Sequence, residues 1–344
     1  MRVAVINCGS SSLKFKLFAM PNAEVLHEEL IELQKDDEIG KLVANLDVDF
    51  SKVDVIGHRV VHGGERFVEP VLIDDRVINA VEALIPLAPL HNGANLAGIK
   101  SIKKHFATIA QVAVFDTAFH STLEKDAYIY ALPYELYEKK QVRRYGFHGS
   151  SHSYLLGVAT KRLGKKPEDT NIITLHLGNG ASVCAIKNGK SVDTSMGFTP
   201  LEGLVMGSRS GDIDPAIVIY LQRELGYSYD EVDTLLNKES GLLGLCGESD
   251  VRTILNAVDE KSKLAVDIMV RRIQKYIGAY MVLLEDVDAI VFSGGIGEHS
   301  EYIRERVMDN KIIKDIKCFV IQTDEELEIA NESLRVVKSQ KKII

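Results

Sequence analysis

The chain has 344 residues, 46% of them hydrophobic, and a formal net charge of -8. This length favours two domains, and the excess of acidic residues argues against a nucleic-acid-binding protein, which needs a basic surface. We recognise no signal peptide and no membrane-spanning run, and the four widely spaced cysteines are typical of unpaired thiols in a reducing cytoplasm. We therefore expect a two-domain cytoplasmic protein that binds neither nucleic acid nor membrane.

The N-terminal segment predicts a β-hairpin. A buried strand runs from Val3 to Ile6, and a second strand with alternating apolar residues and lysines follows from Leu13. The turn between them, Asn7 to Ser12, is rich in small polar residues that can hold phosphate or Mg²⁺. Residues 21–50 are weakly patterned and predict one or two edge strands with a helix.

Two further predicted strands carry charged candidates. Residues 53–64 predict a strand that contains Arg59, with Val61 on the same side by the period of two. This pair would suit a small carboxylate with an apolar tail, although a lone arginine is more often part of a surface ion pair. Residues 109–115 predict a central parallel strand that ends on Asp116. Because ligands of open α/β sheets bind at the carboxyl ends of strands, Asp116 is a functional candidate.

The run RRYGFHGSSH at 143–152 precedes a helix that we expect to start near Ser151, with Ser150 or Ser151 as its N-cap. His148 stands in a glycine-flanked loop within this run. A functional and a structural role for His148 are equally supported by the sequence alone.

Residues 171–186 predict a second hairpin around the turn Gly178-Asn179-Gly180. Asn-Gly supplies the positive φ values that such turns need, and the uncovered backbone N–H groups would suit a phosphate. An ordinary hairpin tip is the alternative interpretation. Because the N-terminal hairpin has the same plan, the two together indicate a duplicated α/β domain with a ligand between the copies.

The long loop at 193–215 is a functional candidate because loops of this length are uncommon in compact domains. Asp214 and Pro215 have a structural assignment there as the start of a helix, whereas Arg209 does not and is a second candidate anion ligand. Ser228 to Glu231 predicts a capping box. The helix predicted at 261–284 is apolar on more than one face and is expected to be central or to lie at a dimer interface.

Gly295-x-Gly297-x-x-Ser300, after a buried strand, nearly matches a dinucleotide-binding fingerprint, so a dehydrogenase is one alternative. The third glycine is missing and no clear acidic strand end follows. A glycine turn that gives a nucleotide base or ribose close access to the backbone fits better. Glu325 falls in the first turn of the last predicted helix, where acidic residues are favoured by the helix dipole.

Taken together, seven motifs in order along the chain resemble those of the acetate kinase family: NxGSSSLKF at 7–15, GHRVVHGG at 57–64, VFDTAFH at 114–120, RRYGFHGSSH at 143–152, HLGNGAS at 176–182, MGSRSGDIDP at 206–215 and GGIGE at 294–298. The resemblance implies an α/β fold of two duplicated ribonuclease-H-like (actin-like ATPase) domains with mixed central sheets and an ATP cleft between them. It implies an N-terminal domain of residues 1–118 plus 326–344. It also implies a C-terminal domain, 119–325, that binds nucleotide and forms a homodimer.

The resemblance also implies the reversible transfer of the ATP γ-phosphoryl group to acetate, with Mg²⁺ or in its place Mn²⁺. The catalytic residues that it implies are Asp116, His148 and Arg209. For acetate it implies Arg59 on the carboxylate and a methyl pocket of Val61, Leu90, Phe147 and Pro200. For ATP it implies Lys14, His176, Leu177, Gly178, Asn179, Gly180, Asp250, Val251, Arg252, Gly295, Ile296, Gly297, Glu298 and His299. For the metal it implies Asn7 and Glu325.

Three questions stay open on the sequence. The family resemblance makes Asp116 an acid, but a small carboxylic acid is already ionised at pH 7, so Asp116 could instead orient Mg²⁺ or its waters. A propionate or butyrate kinase is a close alternative, because one methylene in an apolar pocket is worth only about 1–3 kcal/mol. An actin-like ATP-binding regulator without acyl-phosphate chemistry is an alternative of another class. The segments between Lys14 and Arg59 and between Ser300 and Phe319 are also shorter than is usual in the family.

Overall fold

The computed structural model describes residues 1–9, 12–34, 37–88 and 91–341. The chain divides into two compact units. Unit 1 comprises residues 1–121, 149–154 and 324–344, and unit 2 comprises residues 122–148 and 155–323. The domain boundaries expected after residues 118 and 325 lie close to two of these divisions and stay a prediction. The short segment 149–154, which falls in unit 1, has no counterpart in that prediction.

The strands are β1 (Arg2–Cys8), β2 (Ser12–Ala19), β3 (Glu24–Glu32), β4 (Val55–Val60), β5 (Val71–Leu72), β6 (Ala110–Phe115), β7 (Ile172–Leu177), β8 (Ala181–Lys187), β9 (Lys190–Thr194), β10 (Ala289–Ser293) and β11 (Cys318–Val320). The α-helices are α1 (Ile39–Ala44), α2 (Asp75–Ala83), α3 (Asn92–His105), α4 (Lys125–Tyr128), α5 (Tyr134–Lys140), α6 (Gly149–Leu163), α7 (Pro215–Glu224), α8 (Tyr229–Lys238), α9 (Gly241–Cys246), α10 (Val251–Asn256), α11 (Glu260–Leu284), α12 (Gly294–His299), α13 (Glu301–Met308) and α14 (Glu325–Lys341).

Unit 1 is built on a sheet of order β3-β2-β1-β4-β6-β5, in which β1, β4 and β6 are parallel. Successive side chains of β1 point to opposite faces: Val3 and Val5 pack with residues of α14, and Ala4 and Ile6 pack with residues of α1 and α3. Gly57 allows α14 to approach the sheet, because a Cβ atom there would lie 2.4 Å from Ser333 Oγ. Both faces of β1 are therefore buried, which explains its continuous apolar run.

Strand β6 is parallel to β4 as predicted, but it lies second from the sheet edge and not at the centre. Its neighbour β5 has two residues, Val71–Leu72, and is antiparallel to it. Residues of β6 nevertheless pack with α14 on one face and with α2 and α3 on the other. A continuous apolar run indicates that both faces of a strand are buried, but it does not indicate where the strand lies within the sheet.

Unit 2 is built on a sheet of order β11-β10-β7-β8-β9, in which β7, β10 and β11 are parallel. Read from its other end, this order repeats the order β3-β2-β1-β4-β6 of unit 1: an antiparallel three-strand meander whose first strand pairs with parallel strands. The duplication that the two hairpins predicted is therefore present in the topology. The predicted capping box at Ser228 and Glu231 and the N-cap at Asp214 are confirmed. No helix of the described residues is long and apolar enough to cross a membrane.

Candidate active site

In unit 1, the carboxyl ends of β4 and β6 bring Arg59 and Asp116 together. The parallel register pairs Val60 with Phe115, so Arg59 and the residue after β6 fall at the same edge of the sheet. Arg59 Nε donates to Asp116 Oδ1 and Oδ2 at 3.0 and 3.1 Å, and Arg59 Nη2 donates to Oδ2 at 2.6 Å. Asp116 is 1% exposed. Burial raises the pKa of the Asp116 carboxyl, while the charge and hydrogen bonds of Arg59 lower it.

Asn7, at the end of β1, extends this cluster. Its Oδ1 accepts from Arg59 Nη1 at 3.3 Å, and its Nδ2 donates to Glu326 Oε1 at 3.5 Å. Glu326 Oε2 also accepts from Lys14 Nζ at 3.0 Å, and Glu325 Oε2 lies 3.9 Å from Arg59 Nε. The sequence-based prediction missed Glu326, because acidic residues at the start of α14 were explained by the helix dipole. Lys14 pairs with Asn7 across β1 and β2 and therefore belongs to the same cluster.

The oxygen donors of this cluster fit a divalent cation such as Mg²⁺. Within the described residues there is no group of three or more His, Cys, Asp or Glu side chains that could hold a metal ion. Mg²⁺ is usually bound by one or two carboxylates together with substrate phosphates and water, so it does not need such a group. Asn7 Oδ1 and the carboxylate of Glu325, which the resemblance implies for the metal, are oxygen donors of this type, and their assignment stays a prediction.

The predicted methyl pocket divides between the two units. Val61 lies in unit 1 and is 8% exposed, and its backbone N–H donates to Asn95 Oδ1 at 3.0 Å. Phe147 and Pro200 lie in unit 2, and Phe147 is buried. Leu90 lies outside the described residues.

In unit 2, His148 stands at the N-terminus of α6 in the left-handed backbone region, with φ 55°. Its Nδ1 lies 2.8 Å from Ser182 Oγ, and its ring stacks on His176 with a centroid distance of 4.3 Å. The predicted N-cap at Ser150 or Ser151 was wrong, because the helix begins at Gly149 and His148 is its N-cap without a capping side-chain hydrogen bond. A non-glycine residue in this backbone region costs energy and is often found at functional sites.

The glycine turn Gly178-Asn179-Gly180 joins β7 to β8 as predicted, but none of its three residues has a positive φ. That part of the prediction was wrong. The left-handed pair is Asn188 and Gly189, at the tip between β8 and β9, with φ values of 51° and 73°. Both tips contain Asn-Gly, but only the second adopts positive φ values. In the first turn, a hydrogen bond from Gly178 N to Gly180 O gives the backbone a different conformation.

Arg209 lies beside this turn. A Cβ atom built on Gly180 would lie 3.3 Å from Arg209 Nη2 and 3.5 Å from His148 Nε2. Arg209 Nη1 donates to the carbonyl of Pro200 at 2.7 Å, and Arg209 forms no salt bridge with a described residue. Burial lowers its pKa. Among the described residues the guanidinium charge thus has no counter-ion, and it lies beside the glycine turn.

A cavity of about 690 Å³ in unit 2 collects most of the predicted nucleotide residues. It is lined by Gly178, Asn179, Ser249, Asp250, Val251, Arg252, Leu255, Asn256, Gly295, Ile296, His299 and Ser300. Glu298 is used elsewhere, because its Oε1 accepts from Gly294 N and Thr323 N. Gly297 is buried in α12, a helix that was predicted as a turn. A groove of about 830 Å³ in unit 1 contains none of the predicted residues.

Comparison with known proteins identifies the family of this chain. The model of the acetokinase family matches residues 38–342. The chain belongs to the acetokinase family. The acetate kinase of Sulfurimonas denitrificans is 50% identical over 391 aligned positions, which cover 98% of this chain and 100% of the relative. Because that alignment has more positions than the chain has residues, the chain lacks segments that the relative has.

Solved structures agree with this assignment and establish the actin-like ATPase fold of the acetokinase. The structure of Porphyromonas gingivalis acetate kinase is 39% identical with a TM-score of 0.90, and the match covers 98% of this chain and 99% of that chain. A propionate kinase from Francisella tularensis subsp. tularensis SCHU S4 has the same identity and TM-score and covers 97% of this chain and 99% of that chain. The predicted fold class is confirmed.

Proposed function

We propose that this chain is an acetate kinase, which reversibly transfers the γ-phosphoryl group of ATP to acetate and forms acetyl phosphate and ADP. The observation that carries the proposal is the half-buried guanidinium of Arg209. It has no salt bridge with a described residue and lies with His148 beside the turn at Gly180. A cation that forms no salt bridge within the described residues, beside the turn at 178–180, suits a phosphoryl group in transfer, because this chemistry depends on charge neutralisation and positioning.

The reaction is a direct in-line displacement. An acetate oxygen forms a bond to the γ-phosphorus while the bond to the oxygen that bridges the β- and γ-phosphorus breaks, and ADP leaves with the electron pair. Arg209 and His148 Nε2 donate to the phosphoryl oxygens, and Arg59 binds the acetate carboxylate. No base is needed because acetate is ionised at pH 7. The contacts of Asp116 with Arg59 support an orienting role for this carboxylate and give it no proton to transfer.

For the nucleotide, we assign the adenosine to the cavity lined by Asp250 to Arg252, Gly295, Ile296 and His299. The phosphates are assigned to the turn at 178–180 together with His176, Leu177 and Lys14. The Glu298 side chain accepts a hydrogen bond from the backbone N–H of Gly294, and Gly297 is buried and has no side chain. We therefore assign both residues to the nucleotide site through the backbone of α12. ATP and a divalent metal follow from the family, and we assign the metal as Mg²⁺, with Mn²⁺ as a substitute, at Asn7 and Glu325. When bound, the metal neutralises phosphate charge.

The acetate methyl group is assigned to Val61, Leu90, Phe147 and Pro200. Propionate is the second candidate substrate, and the likeness to the Francisella tularensis propionate kinase favours it. An apolar pocket discriminates weakly between homologous acids, so both turnover rates need to be measured.

One assay tests the proposal. The purified protein is incubated with ATP, MgCl₂ and acetate, propionate or butyrate, and ADP formation is measured together with acyl-phosphate trapping by hydroxylamine. We expect the highest kcat/KM with acetate. A higher value with propionate would make the protein a propionate kinase, and nucleotide binding without turnover of any acid would support the actin-like regulator instead. Omission of MgCl₂ should abolish turnover, and MnCl₂ should restore it.

We also propose a homodimer through unit 2. Helix α7 contains Ile217, Ile219 and Tyr220, yet none of its residues is buried within the chain, and Tyr229 of α8 is 75% exposed. A second copy would cover these apolar side chains, whose exposure is unfavourable in water. Light scattering should give twice the chain mass, and Ile219→Glu should give the monomer mass. A monomeric wild type would contradict this proposal.

A cytoplasmic location is proposed on the cysteines. None of the four is in a disulfide, and all lie in the described part of the chain. Such thiols are typical of reducing compartments. Recovery of the native protein in a periplasmic or secreted fraction would contradict the assignment.

A further inference from the structure

Arg144 is an arginine of unit 2 with a side chain only 16% exposed, and the proposed chemistry does not use it. It lies four residues before His148 and makes several hydrogen bonds at once. Its Nη2 donates to Glu202 Oε1 at 2.6 Å, and its Nη1 donates to the carbonyls of Thr194 and Met196 at 3.0 and 3.1 Å. Burial lowers the pKa of Arg144, but the charge and hydrogen bond of Glu202, together with the charges of Tyr130 and Asp193, outweigh burial, so the pKa is raised. Arg144 is therefore neutralised within the protein and is not an anion site.

Glu202 and Tyr130 complete this arrangement. The Tyr130 hydroxyl donates to Glu202 Oε2 and accepts from the backbone N–H of Phe198 at 2.9 Å. Gly197 leaves room for this pair, because a Cβ atom there would lie 1.7 Å from Glu202 Oε2 and 2.1 Å from the Tyr130 oxygen. The group of Arg144, Glu202 and Tyr130, called the loop clamp below, thus fixes the segment 194–202 against the rest of unit 2.

The clamped segment contains the acceptor of Arg209. Arg209 Nη1 donates to the carbonyl of Pro200, two residues from Glu202 in the chain. With no salt bridge to a described residue, the guanidinium depends on this carbonyl for its direction. The segment is also fixed at its other end, where Arg272 Nη1 donates to the carbonyl of Gly203 at 2.9 Å. A displacement of the segment would therefore displace the guanidinium.

The clamp also holds the segment that carries His148. The carbonyl of Gly197 accepts from the backbone N–H groups of Tyr145 and Gly146 at 3.0 and 3.3 Å. Arg144 belongs to that segment itself. The two donors assigned to the phosphoryl group, Arg209 and His148, are thus supported by one network of hydrogen bonds, as precise placement of charged donors requires.

We propose that Arg144 is a positioning residue for phosphoryl transfer, which with Glu202 and Tyr130 holds the Pro200 carbonyl in the place that directs Arg209. This inference rests on the proposed function. It assigns no contact with substrate to Arg144. It does predict that Arg144 and Arg209 are coupled in catalysis although Arg144 binds no ligand.

The test is a double-mutant cycle on Arg144→Lys and Arg209→Lys, read as kcat/KM for acetate by hydroxylamine trapping. Lysine keeps the positive charge of Arg144 but cannot donate to Glu202 and to the carbonyls of Thr194 and Met196 at the same time. We expect Arg144→Lys alone to lower kcat/KM about 10- to 100-fold, as small misplacements of catalytic groups do. In the Arg209→Lys background the same change should cost clearly less, because only the support of the His148 segment is then left to lose.

Three measurements separate positioning from general damage. ATP affinity, measured by titration calorimetry, should be unchanged in Arg144→Lys, since the clamp does not line the nucleotide cavity. Tyr130→Phe is a smaller change and should also lower kcat. This variant replaces Arg144→Lys in the test if Arg144→Lys does not fold. Arg306→Lys is the matched control, because Arg306 pairs with Asp267 on the surface of the same unit.

The inference is overturned if the two losses multiply in the double variant, or if Arg144→Lys and Tyr130→Phe both retain the wild-type kcat/KM. Either result with an active wild type leaves the proposed function intact. A wild type that turns over none of the three acids would overturn both the function and the positioning role.

Discussion

Arg59 and Arg209 are both largely buried guanidinium groups, but they differ in what neutralises them. In unit 1, Arg59 makes three hydrogen bonds to Asp116, and Glu325 lies 3.9 Å away. In unit 2, Arg209 donates to the carbonyl of Pro200 and has no salt bridge with a described residue. Burial of an uncompensated charge costs folding free energy. A protein retains such a charge where an anionic ligand compensates it, so the two arginines have different tasks.

The difference separates activity from stability. Arg59 belongs to a compensated pair, and its removal should damage the fold of unit 1 as well as catalysis. Removal of Arg209 should damage catalysis alone. Four changes, in order of the expected loss or shift in catalysis, can break or sharpen this comparison.

Arg209→Ala should give the largest effect. We expect kcat to fall about 100- to 1000-fold, as when a donor to transition-state charge is removed. The free energy of unfolding in urea should be unchanged or higher, because the variant loses a half-buried charge that has no salt bridge with a described residue. Near-normal kcat, or a clear loss of stability, would contradict the assignment of Arg209 as an uncompensated cation.

Arg59→Ala should lower both quantities. We expect about 100-fold lower kcat/KM for acetate, from the loss of a charged donor. The free energy of unfolding should fall by about 3–5 kcal/mol, because Asp116 is left buried without its partner. Activity assays and urea unfolding check the two effects. Arg59→Met with Asp116→Leu is the control, and it should regain stability without activity.

The Arg59→Ala variant should also acquire a distinctive pH dependence. Burial already raises the pKa of Asp116, and without Arg59 the influence that lowers it is gone. A carboxyl whose folded-state pKa exceeds its unfolded value stabilises the fold below the unfolded pKa, and this stability is lost as pH rises through the folded pKa. The stability deficit against wild type should therefore shrink as the pH falls toward about 4. A deficit that grows on acidification would contradict the buried-pair argument.

Asn179→Ala tests whether the glycine turn acts with Arg209. Asn179 is exposed at the nucleotide cavity, so its loss should raise the KM for ATP about tenfold and leave thermal unfolding nearly unchanged. Asn188→Ala is the matched control at the other tip of β8. There the residue has a φ of 51°, so alanine should lower stability without an effect on the KM for ATP.

The sequence was sufficient for the fold because its signals are local or repeated. The alternating and continuous apolar runs of β1, β4, β7 and β10 identify strands, and the two hairpins of one plan identify the duplication. The capping residues Asp214 and Ser228 likewise act within one turn of helix. Each of these features depends on residues close together in the chain.

The rest of the candidate site depends on contacts across the chain, which no local pattern encodes. Glu326 contacts Asn7 and Lys14, which are more than 300 residues away in the chain. The sequence around Glu326 in α14 therefore did not indicate these contacts. Arg144 and Arg143 are adjacent and identical, yet Arg144 pairs with Glu202 whereas Arg143 lies over the ring of Tyr128. Tertiary packing decides between such equivalent candidates.

Val61→Ala should give the smallest effect and tests whether the Arg59 side of the site binds the acyl tail. Val61 is nearly buried and lies two residues from Arg59. Removal of two methyl groups should raise the ratio of propionate to acetate kcat/KM about 5- to 10-fold, since one methylene is worth about 1–3 kcal/mol in an apolar pocket. Val60→Ala removes the same groups from the core beside Phe67 and should lower stability without a change in this ratio. An unchanged ratio in Val61→Ala would mean that the acyl tail does not bind at Val61. The role of Arg59 would then be limited to its pairing with Asp116.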